Sequence, residues 1–525
     1  MKQIFFVCLL ISGLKSFAQN EVKWMLSGAL TPSSVSLRAK MSTNSNNVRA
    51  ALSTTNPPSA PFIYSNVAKA DSVKNNFMVR LDVSGLQPAT TYYYQIEADG
   101  IADTSPEDIG TFSTTAVGPF SFSFMAGSCN REPNTKTYND FMNFNPLFYL
   151  NCGDLHYADP NSTDVNVHRN AYEDRVFTRP LQVELFRKLP LMHVWDDHDY
   201  CGNADDGQDV AGAKSAGRAY REYIPHYEFP ERQGDDTNSI YHSFEIGRVK
   251  FIMSDLRSQR FRNDSTAMGL PQKEWFKKQL VDARDRKLLI CWVGSYSWYG
   301  QFDDNWTLNP KERRELSEFM RDSLIENMFI INGDAHMFAI DNGTNGDFTA
   351  ANNLPYQYPV LQAGPIENNG SFKGGTYSEG TFYQFFVKAA QYGFVEVNDN
   401  GGDSICVTMT GYKKDLSTEA TNSIVSYSFC RNLDDYVAST PQVDKNQADI
   451  NVFPNPSSGM FHVRSVYNKP TRCTVTGLNG QVLIDELILP NVVAKLDLRQ
   501  YPSGIYFANF ANEDYKISRK LVVTH

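Results

Sequence analysis

Six short apolar segments between residues 118 and 432 constrain the fold more than any other feature of the sequence. Each is rich in β-branched and aromatic residues, and patterns typical of amphipathic helices lie between them. Two helices are predicted over Pro271–Lys287 and Pro310–Glu326, because each begins with proline and repeats apolar residues at helical spacing. Strands that alternate with helices predict a layered α/β domain. The predicted strands are Phe120–Ala126, Leu147–Cys152, Leu189–Trp195, Val249–Ser254, Leu288–Val293 and Met328–Asn332.

The segments on either side of this domain have β-like patterns. Residues 19–117 include an alternating apolar and polar segment, Val35–Met41, and a tyrosine-rich segment, Gly85–Ile96. Residues 450–525 contain short apolar segments between Pro, Asn, Ser and Gly turn residues, and the polar residues 433–449 predict a linker. We therefore expect a multidomain protein: an N-terminal β-sandwich, a central α/β domain over 118–432 and a small C-terminal β-sandwich.

The first 18 residues are typical of a secretory signal peptide. Lys2 precedes an apolar run over Ile4–Ile11, and Ser16-Phe17-Ala18 resembles a cleavage site. The run is too short to span a bilayer, and no later segment contains 18 consecutive apolar residues. The sequence therefore predicts an exported protein without a transmembrane anchor.

Charge and cysteine content argue against two further classes of protein. The net charge of −10, from 59 acidic and 49 basic residues, disfavours binding of duplex nucleic acid through its phosphates. Of the eight cysteines, Cys8 lies in the signal peptide, and the odd number that remains argues against a disulfide scaffold. Cys406 and Cys430 could pair across neighbouring strands, whereas Cys129 needs another explanation.

Chemically active side chains follow five of the six predicted strands. In open α/β sheets, ligands bind at the carboxyl ends of strands, so these endings would converge if the strands shared one sheet. Carboxylates, imidazole, thiol and phenol together suit transition metals, and extra carboxylates suit a harder cation. The sequence therefore predicts a metal centre with two or more ions. The endings are Gly127-Ser-Cys-Asn130, Gly153-Asp-Leu-His-Tyr157, Asp196-Asp-His-Asp199, Asp255-Leu-Arg257 and Gly333-Asp-Ala-His336.

Together these endings resemble the motifs of the alkaline phosphatase D (PhoD-like) family of the calcineurin-like metallophosphoesterases. The resemblance covers residues 118 to about 430 and includes a Gly-Ser-Cys at Cys129 in place of the Asp-x-His that opens most of the superfamily. Members of the family often carry a β-sandwich in front, and residues 19–117 resemble a fibronectin type III domain. The resemblance implies a metallophosphatase fold of layered sheets flanked by helices.

The resemblance also implies a role for each motif residue. Cys129, Tyr157 and His336 would bind one metal, iron in the family, and Asp154 would bridge to the second. Asp197 and Asp334 would hold the second metal, calcium in the family. His198 would lie near the leaving group as an acid or phosphate donor, and Arg257 would stabilise the phosphoryl oxygens. Asn203 or Asp205 could provide a further ligand, and both alternatives stay open.

The C-terminal segment resembles a second family. Its Phe453-Pro-Asn-Pro start, its Gly477-Leu-Asn-Gly centre and its Pro502-Ser-Gly-Ile-Tyr ending look like a type IX secretion sorting domain. This implies that the type IX secretion machinery is a partner and that the protein is secreted or placed on the cell surface.

We therefore predict a secreted, metal-dependent phosphohydrolase whose metal-bound hydroxide attacks a small-molecule phosphate ester. The alternatives are a phosphodiesterase on the same scaffold and, in a different class, a non-catalytic surface adhesin. The stretch from Asn342 to Gly380, which contains Lys373 and several tyrosines, is long enough to be a functional loop at the rim of the site.

Overall fold

The computed structural model describes most of the chain, which divides after residue 435 into two compact units. The predicted signal peptide and residues 434–449 of the predicted linker lie outside the described residues. The described ranges are 21–132, 135–207, 210–230, 239–261, 266–300, 304–383, 388–433, 450–465, 470–477, 481–489, 493–512 and 516–525.

The N-terminal part of the first unit consists of two antiparallel sheets around a shared apolar core. One sheet has the order β1-β2-β6, and the other joins β4, β3, β7 and β8, with β5 beside β3 and β9 beside β7. Alternating side chains such as Leu37, Leu81 and Ile96 are buried in this core. The fibronectin type III likeness stays a prediction. The strands are β1 (Val22–Gly28), β2 (Ser34–Met41), β3 (Ser45–Ser53), β4 (Ile63–Tyr64), β5 (Ala68–Ala70), β6 (Met78–Ser84), β7 (Thr91–Ala98), β8 (Ile101–Ala102) and β9 (Gly110–Ser113).

The central part of the first unit alternates strands and helices, as the sequence predicts. One short 3-10 helix, Pro106–Asp108, precedes the central part, and another, Trp306–Leu308, lies within it. Its elements are β10 (Phe122–Asn130), α1 (Thr137–Phe144), β11 (Phe148–Cys152), α2 (Val165–Arg175), α3 (Pro180–Lys188), β12 (Leu191–Val194), α4 (Asp197–Tyr200), α5 (Ala213–Tyr223), β13 (His242–Ile246), β14 (Val249–Met253), α6 (Leu270–Asp285), β15 (Leu289–Gly294), α7 (Pro310–Asp322), β16 (Met328–Asn332), β17 (Phe338–Asp341), β18 (Val360–Gln362), β19 (Pro365–Asn369), β20 (Gly380–Phe382), β21 (Lys388–Asn398), β22 (Ser404–Lys414) and β23 (Thr421–Asn432).

These strands form two seven-stranded sheets. The first sheet has the order β12-β11-β10-β19-β21-β22-β23, and the second has the order β13-β14-β15-β16-β18-β17-β20. The sheets face each other through aromatic side chains: the ring centroid of Phe251 in the second sheet lies 5.7 Å from that of Phe124 and 5.8 Å from that of Phe148 in the first. Helices α1, α3 and α5 cover the first sheet, and α6 and α7 cover the second. The result is a layered arrangement of two sheets with helices outside.

The strands that carry the chemically active endings therefore lie in two sheets rather than one. Strands β10, β11 and β12 run parallel in the first sheet, and β14, β15 and β16 run parallel in the second. The endings still converge, because the carboxyl ends of both parallel sets meet at the same edge of the layered core.

The N-terminal sheets pack directly on the helices of the first sheet. The ring of Trp24 stacks on Phe177 with centroids 3.8 Å apart. The buried Arg38 donates hydrogen bonds to the backbone carbonyls of Glu222 and Ile224 at the end of α5. These contacts fix the carboxyl-terminal ends of α2 and α5. Each of these two helices follows a loop that comes after one of the chemically active strand endings.

The second unit, over residues 436–525, is built from antiparallel strands alone where it is described. Its two sheets, β24-β25-β28 and β27-β26-β29-β30, share a core that includes Phe461, Val475 and Phe510. Its strands are β24 (Ile450–Phe453), β25 (Met460–Ser465), β26 (Thr471–Thr476), β27 (Val482–Ile488), β28 (Val493–Asp497), β29 (Gly504–Ala511) and β30 (Lys516–Val523).

Cys406 and Cys430 form a disulfide between β22 and β23, where they are direct cross-strand neighbours, so the predicted pairing is confirmed. Among the described residues, no helix is both long enough and apolar enough to cross a membrane.

Candidate metal centre

Four of the predicted metal ligands have left-handed backbone conformations where their strands end: Cys129 lies in the last residues of β10, and the other three follow β11 or β16. Cys129, Asp154, Asp334 and His336 all have positive φ, at 53°, 55°, 66° and 52°. This left-handed backbone is unfavourable for residues with a Cβ and costs about 1–3 kcal/mol at each position. Such clustering of backbone strain is typical of functional sites, where the turn fixes the direction of a side chain.

Asp154 lies at the centre of the candidate site. It shares a possible cation position with Cys129 and His336, a second with Asp197 and His198, and a third with a group of further carboxylates. Within each group, the potential ligand atoms lie within 4.8 Å of one another. One carboxylate therefore faces both the sulfur and nitrogen donors and the oxygen donors. The third group consists of Asp154, Asp196, Asp197 and Asp334.

Tyr157 and His336 complete the side of the site that contains the thiol. The Tyr157 hydroxyl donates to Oδ2 of Asp154 at 2.8 Å and lies 3.1 Å from Nε2 of His336. Nδ1 of His336 lies 2.9 Å from the backbone carbonyl of Asn369, which directs the opposite nitrogen into the site. Cys129 is fully buried, and burial together with Asp154 and Asp334 raises the pKa of its thiol.

The carboxylates of the site are buried and only partly satisfied. Burial, reinforced by the neighbouring aspartates, raises the pKa of Asp154 and also that of Asp334. Among the described residues, Oδ1 of Asp154, Oδ2 of Asp196 and Oδ2 of Asp334 have no hydrogen-bond partner. Buried carboxylates with unpaired oxygens are costly unless they bind cations, so this donor set fits metal ions.

Arg257 compensates part of this negative charge. Its guanidinium is fully buried, pairs with Asp196 through Nε, and lies 3.1–3.2 Å from the two carboxylate oxygens of Asp304. It also lies 3.8 Å from Asp197. Burial alone would raise the pKa of Asp197, but Arg257 and His198 lower it below the ordinary value. The guanidinium thus binds the carboxylates of Asp196 and Asp304. The contact between Arg257 and phosphoryl oxygens stays a prediction.

His198 lies on the more exposed side of the site. Its backbone N–H donates to Oδ1 of Asp197 at 3.0 Å, and its Nδ1 lies 2.6 Å from Oδ1 of Asp159. The imidazole ring also packs on Tyr157, with centroids 4.0 Å apart. The candidate site thus has a titratable group at its opening, beside the grouped carboxylates.

The family model for PhoD-like phosphatases matches residues 122–409, which is more than half of the chain. The chain belongs to the PhoD-like phosphatase family. The matched residues contain every candidate ligand described above. A second family model, for a secretion system C-terminal sorting domain, matches residues 451–524. This PhoD-like protein therefore carries a type IX sorting domain, which indicates export to the cell surface or secretion.

Other similarities agree with the family at the level of the fold. A solved structure of PhoD matches with a TM-score of 0.59 at 15% identity and covers 77% of this chain and 91% of its own. Purple acid phosphatases 15 and 23 of Arabidopsis thaliana are each 22% identical to this chain, over 327 and 333 residues. These alignments cover 58% of this chain but only 55% and 64% of the two relatives.

The PhoD-like site also contains residues to which the sequence assigned no role. Asp196 precedes the predicted ligand Asp197 and joins the carboxylate group. Asp159 lies two residues after the predicted ligand Tyr157, and this short spacing could have identified Asp159 as a residue of the site. Asp304 and Lys373 come from loops with no strand-end pattern, although Lys373 lies in the segment predicted to form the rim. Nζ of Lys373 donates to Oδ1 of Asp334 at 2.6 Å.

Asn203 and Asp205, the two alternatives for a further ligand, lie in the segment that follows Asp197. The backbone N–H of Ala204, between Asn203 and Asp205, donates to Oδ2 of Asp197 at 2.5 Å. Oδ2 of Asp205 accepts a hydrogen bond from Asn161 at 3.3 Å. Among the described residues, Asp205 belongs to none of the groups of potential ligands, and Asn203 stays a prediction.

Proposed function

We propose that this chain is an exported, metal-dependent hydrolase of phosphoric esters. The observation that carries the proposal is the position of Asp154, whose carboxylate is shared by a thiol–imidazole group and a carboxylate group. A bridging carboxylate suits two neighbouring cations, which together stabilise the attacking and the leaving oxygens of an in-line displacement. Membership of the PhoD-like phosphatase family and similarity to purple acid phosphatases support the same chemistry.

The first cation would be held by Cys129, Tyr157, His336 and one oxygen of Asp154. Thiolate, phenolate and imidazole donors suit a transition metal, and we propose iron. The hydrogen bond from Tyr157 to Asp154 and the 3.1 Å approach of Tyr157 to His336 support this grouping, because they place these donors around one point.

The second cation would be held by Asp154, Asp197 and Asp334, with Asp196 beside them. These donors are all carboxylate oxygens, which suit a hard cation, and we propose calcium. Bound cations would supply Lewis-acid activation of water and neutralise charge on the phosphoryl group. The unpaired oxygens of Asp154 and Asp334 support this assignment.

His198 would transfer a proton to the leaving oxygen of the ester. It is 14% exposed, so a substrate can reach its ring, and Asp159 holds its Nδ1. We propose that Arg257 is a positioning residue. Its guanidinium is bound to Asp196 and Asp304 and is inaccessible to solvent, so its effect on substrate would act through the carboxylates it holds.

The experiment is metal analysis combined with turnover on one preparation of the full-length protein. We expect both metals in stoichiometric amounts and release of p-nitrophenol from p-nitrophenyl phosphate or from its bis ester. Asp154→Asn should lose metal and most activity while keeping the circular dichroism spectrum of the wild type. The exposed Asp174→Asn, on α2, is the matched control and should change neither.

The results also separate the alternatives. Faster turnover of the bis ester would identify a phosphodiesterase on this scaffold. Absence of both metal and turnover would refute the proposal and leave a non-catalytic surface protein. For the iron assignment, the loaded protein should absorb visible light through charge transfer from phenolate to ferric iron, and Tyr157→Phe should lose this band. A colourless, iron-free and fully active wild type would reject iron.

A further inference from the structure

We propose that Lys373 is a substrate-binding residue that recognises the third non-bridging oxygen of a phosphate monoester. The assignment rests on the proposed function and names the substrate class of that site. It begins from one contact: Nζ of Lys373 lies 2.6 Å from Oδ1 of Asp334, one of the candidate ligands of the second cation. An ammonium group is thus placed at the edge of the carboxylate group.

The backbone around Lys373 is fixed to the same segment that provides the ligands. The N–H of Ser371 donates to the carbonyl of His336 at 3.0 Å, and the Ser371 hydroxyl donates to the carbonyl of Ala335 at 2.7 Å. Gly374 packs so closely on Met337 that a Cβ at this position would clash. Lys373 therefore extends from a loop that is held on both sides of its side chain, which fixes the distance from its ammonium group to the site.

Solvent access distinguishes Lys373 from Arg257 and Arg260, the two arginines that pair with Asp304. The side chains of Arg257 and Arg260 are inaccessible, and both pair with Asp304 in the interior. The side chain of Lys373 is 30% exposed, although its partner Asp334 is only 4% exposed. Of these three cationic side chains, Lys373 is therefore the one that is open to solvent and to an incoming phosphoryl group.

The chemistry of the ammonium group indicates what it would bind. A lysine has three N–H donors, and the contact with Asp334 uses one of them. A phosphate monoester has three non-bridging oxygens and carries up to two negative charges, whereas a diester has two such oxygens and one charge. Two cations can each contact one oxygen, so the third oxygen of a monoester needs another positive partner. Lys373 provides that partner. A diester has no third non-bridging oxygen that could bind to Lys373.

The test compares Lys373→Met with the wild type on p-nitrophenyl phosphate and bis-p-nitrophenyl phosphate. We expect kcat/KM for the monoester to fall by about tenfold to a hundredfold, the size of a lost charge-assisted hydrogen bond. The value for the diester should stay within about threefold of the wild type. Lys373→Arg should restore part of the monoester activity. Lys188→Met is the matched control, because the exposed Lys188 pairs with Glu184 within α3, at 2.6 Å.

Binding of inorganic phosphate gives a readout that does not depend on turnover. Calorimetry on the metal-loaded protein should show tighter binding of phosphate than of dimethyl phosphate, and Lys373→Met should remove most of this preference. A wild type that hydrolyses neither ester would refute the proposed function, while the binding comparison would still decide the assignment of Lys373. Equal losses on both esters, unchanged phosphate binding, or loss of metal from Lys373→Met would each overturn the inference.

Discussion

His198 and Asp159 form a close pair at the opening of the site, with Nδ1 of the imidazole 2.6 Å from Oδ1 of the carboxylate. Asp159 is 50% exposed, whereas His198 is only 14% exposed, so the carboxylate holds the ring from the solvent side. A partner on one ring nitrogen fixes both the orientation and the tautomer of a histidine. The pair therefore directs the other nitrogen of His198 towards the site.

Asp159→Asn should slow turnover because the imidazole loses its charged partner. We expect kcat to fall by about tenfold, as is typical when a residue that orients a functional histidine is replaced. The loss should be larger for phenyl phosphate than for p-nitrophenyl phosphate, since the poorer leaving group depends more on protonation. Asp174→Asn removes a similar charge from α2 and should have no effect. An equal loss on both substrates would argue against a proton-transfer role for His198.

Cys129 should become reactive only when metal is removed. A thiol that binds a metal is a poor free nucleophile, so chelation should increase the rate at which iodoacetamide modifies this residue. Peptide mass spectrometry identifies the modified residue. Cys152 and Cys291, which are buried in the core and free, serve as internal controls and should not respond to chelation. The same rate of modification with and without metal would remove Cys129 from the ligand set.

Deletion of residues 450–525 should separate export from catalysis. No candidate site residue lies in this segment, and it belongs to the second compact unit. We expect activity on p-nitrophenyl phosphate in vitro to stay close to that of the wild type, while in the native host the shortened protein accumulates in the periplasm. Fractionation followed by immunoblotting checks this. Normal surface or medium localisation would show that the segment is not needed for sorting.

His226 should make the protein less stable in mild acid. Its imidazole is buried between Phe229 and Tyr220, and burial, together with Arg38, Arg80 and His242, lowers its pKa from 6.5 to about 3. As the pH falls, His226 is therefore protonated in the unfolded chain before it is protonated in the folded chain. Its titration does not affect the free energy of unfolding above pH 6.5 but lowers it as the pH falls from 6.5 towards 3. At pH 5 this amounts to about 2 kcal/mol.

The measurement is urea denaturation of wild type and His226→Gln at pH 7.5 and pH 5. The variant should lose less stability between the two conditions, since glutamine keeps a donor for the Tyr227 carbonyl but does not titrate in this range. His525→Gln changes an exposed histidine and should behave like the wild type. Parallel loss of stability in wild type and His226→Gln would mean that His226 does not contribute.

The sequence predicted most of the strands and the polar residues at their ends, because both depend on local patterns. The exception is β10, which continues through Asn130 instead of ending at Ala126, so that Cys129 lies within the strand. Strand β16 begins and ends at the predicted residues, and β11 and β15 differ from prediction by one residue at an end or at both. The convergence of Asp154, Asp197 and Asp334 also follows from the positions of these residues after parallel strands. The division of the strands between two sheets does not follow, because pairing partners depend on contacts between residues far apart in the chain.

The partners of the charged groups were the least predictable part of the site. Arg257 follows a strand like the ligands do, yet its orientation is decided by Asp196 and by Asp304, which lies 47 residues further along the chain. Lys373 reaches Asp334 across 39 residues through a loop with no regular pattern. Only the folded chain brings such groups together, so residue type and local spacing contain no signal for these pairs.

The candidate ligands come from both sheets of the layered core: Cys129 lies at the end of β10 and Asp154 follows β11 in the first sheet, and Asp334 and His336 follow β16 of the second. Cations bound there would therefore cross-link two sheets that are otherwise held together mainly by apolar side chains. Ions that bind the folded chain and not the unfolded chain raise the free energy of unfolding, and more so as their concentration rises. For an exported enzyme that acts away from chaperones, the supply of metal would then set the working lifetime of each molecule as well as its turnover.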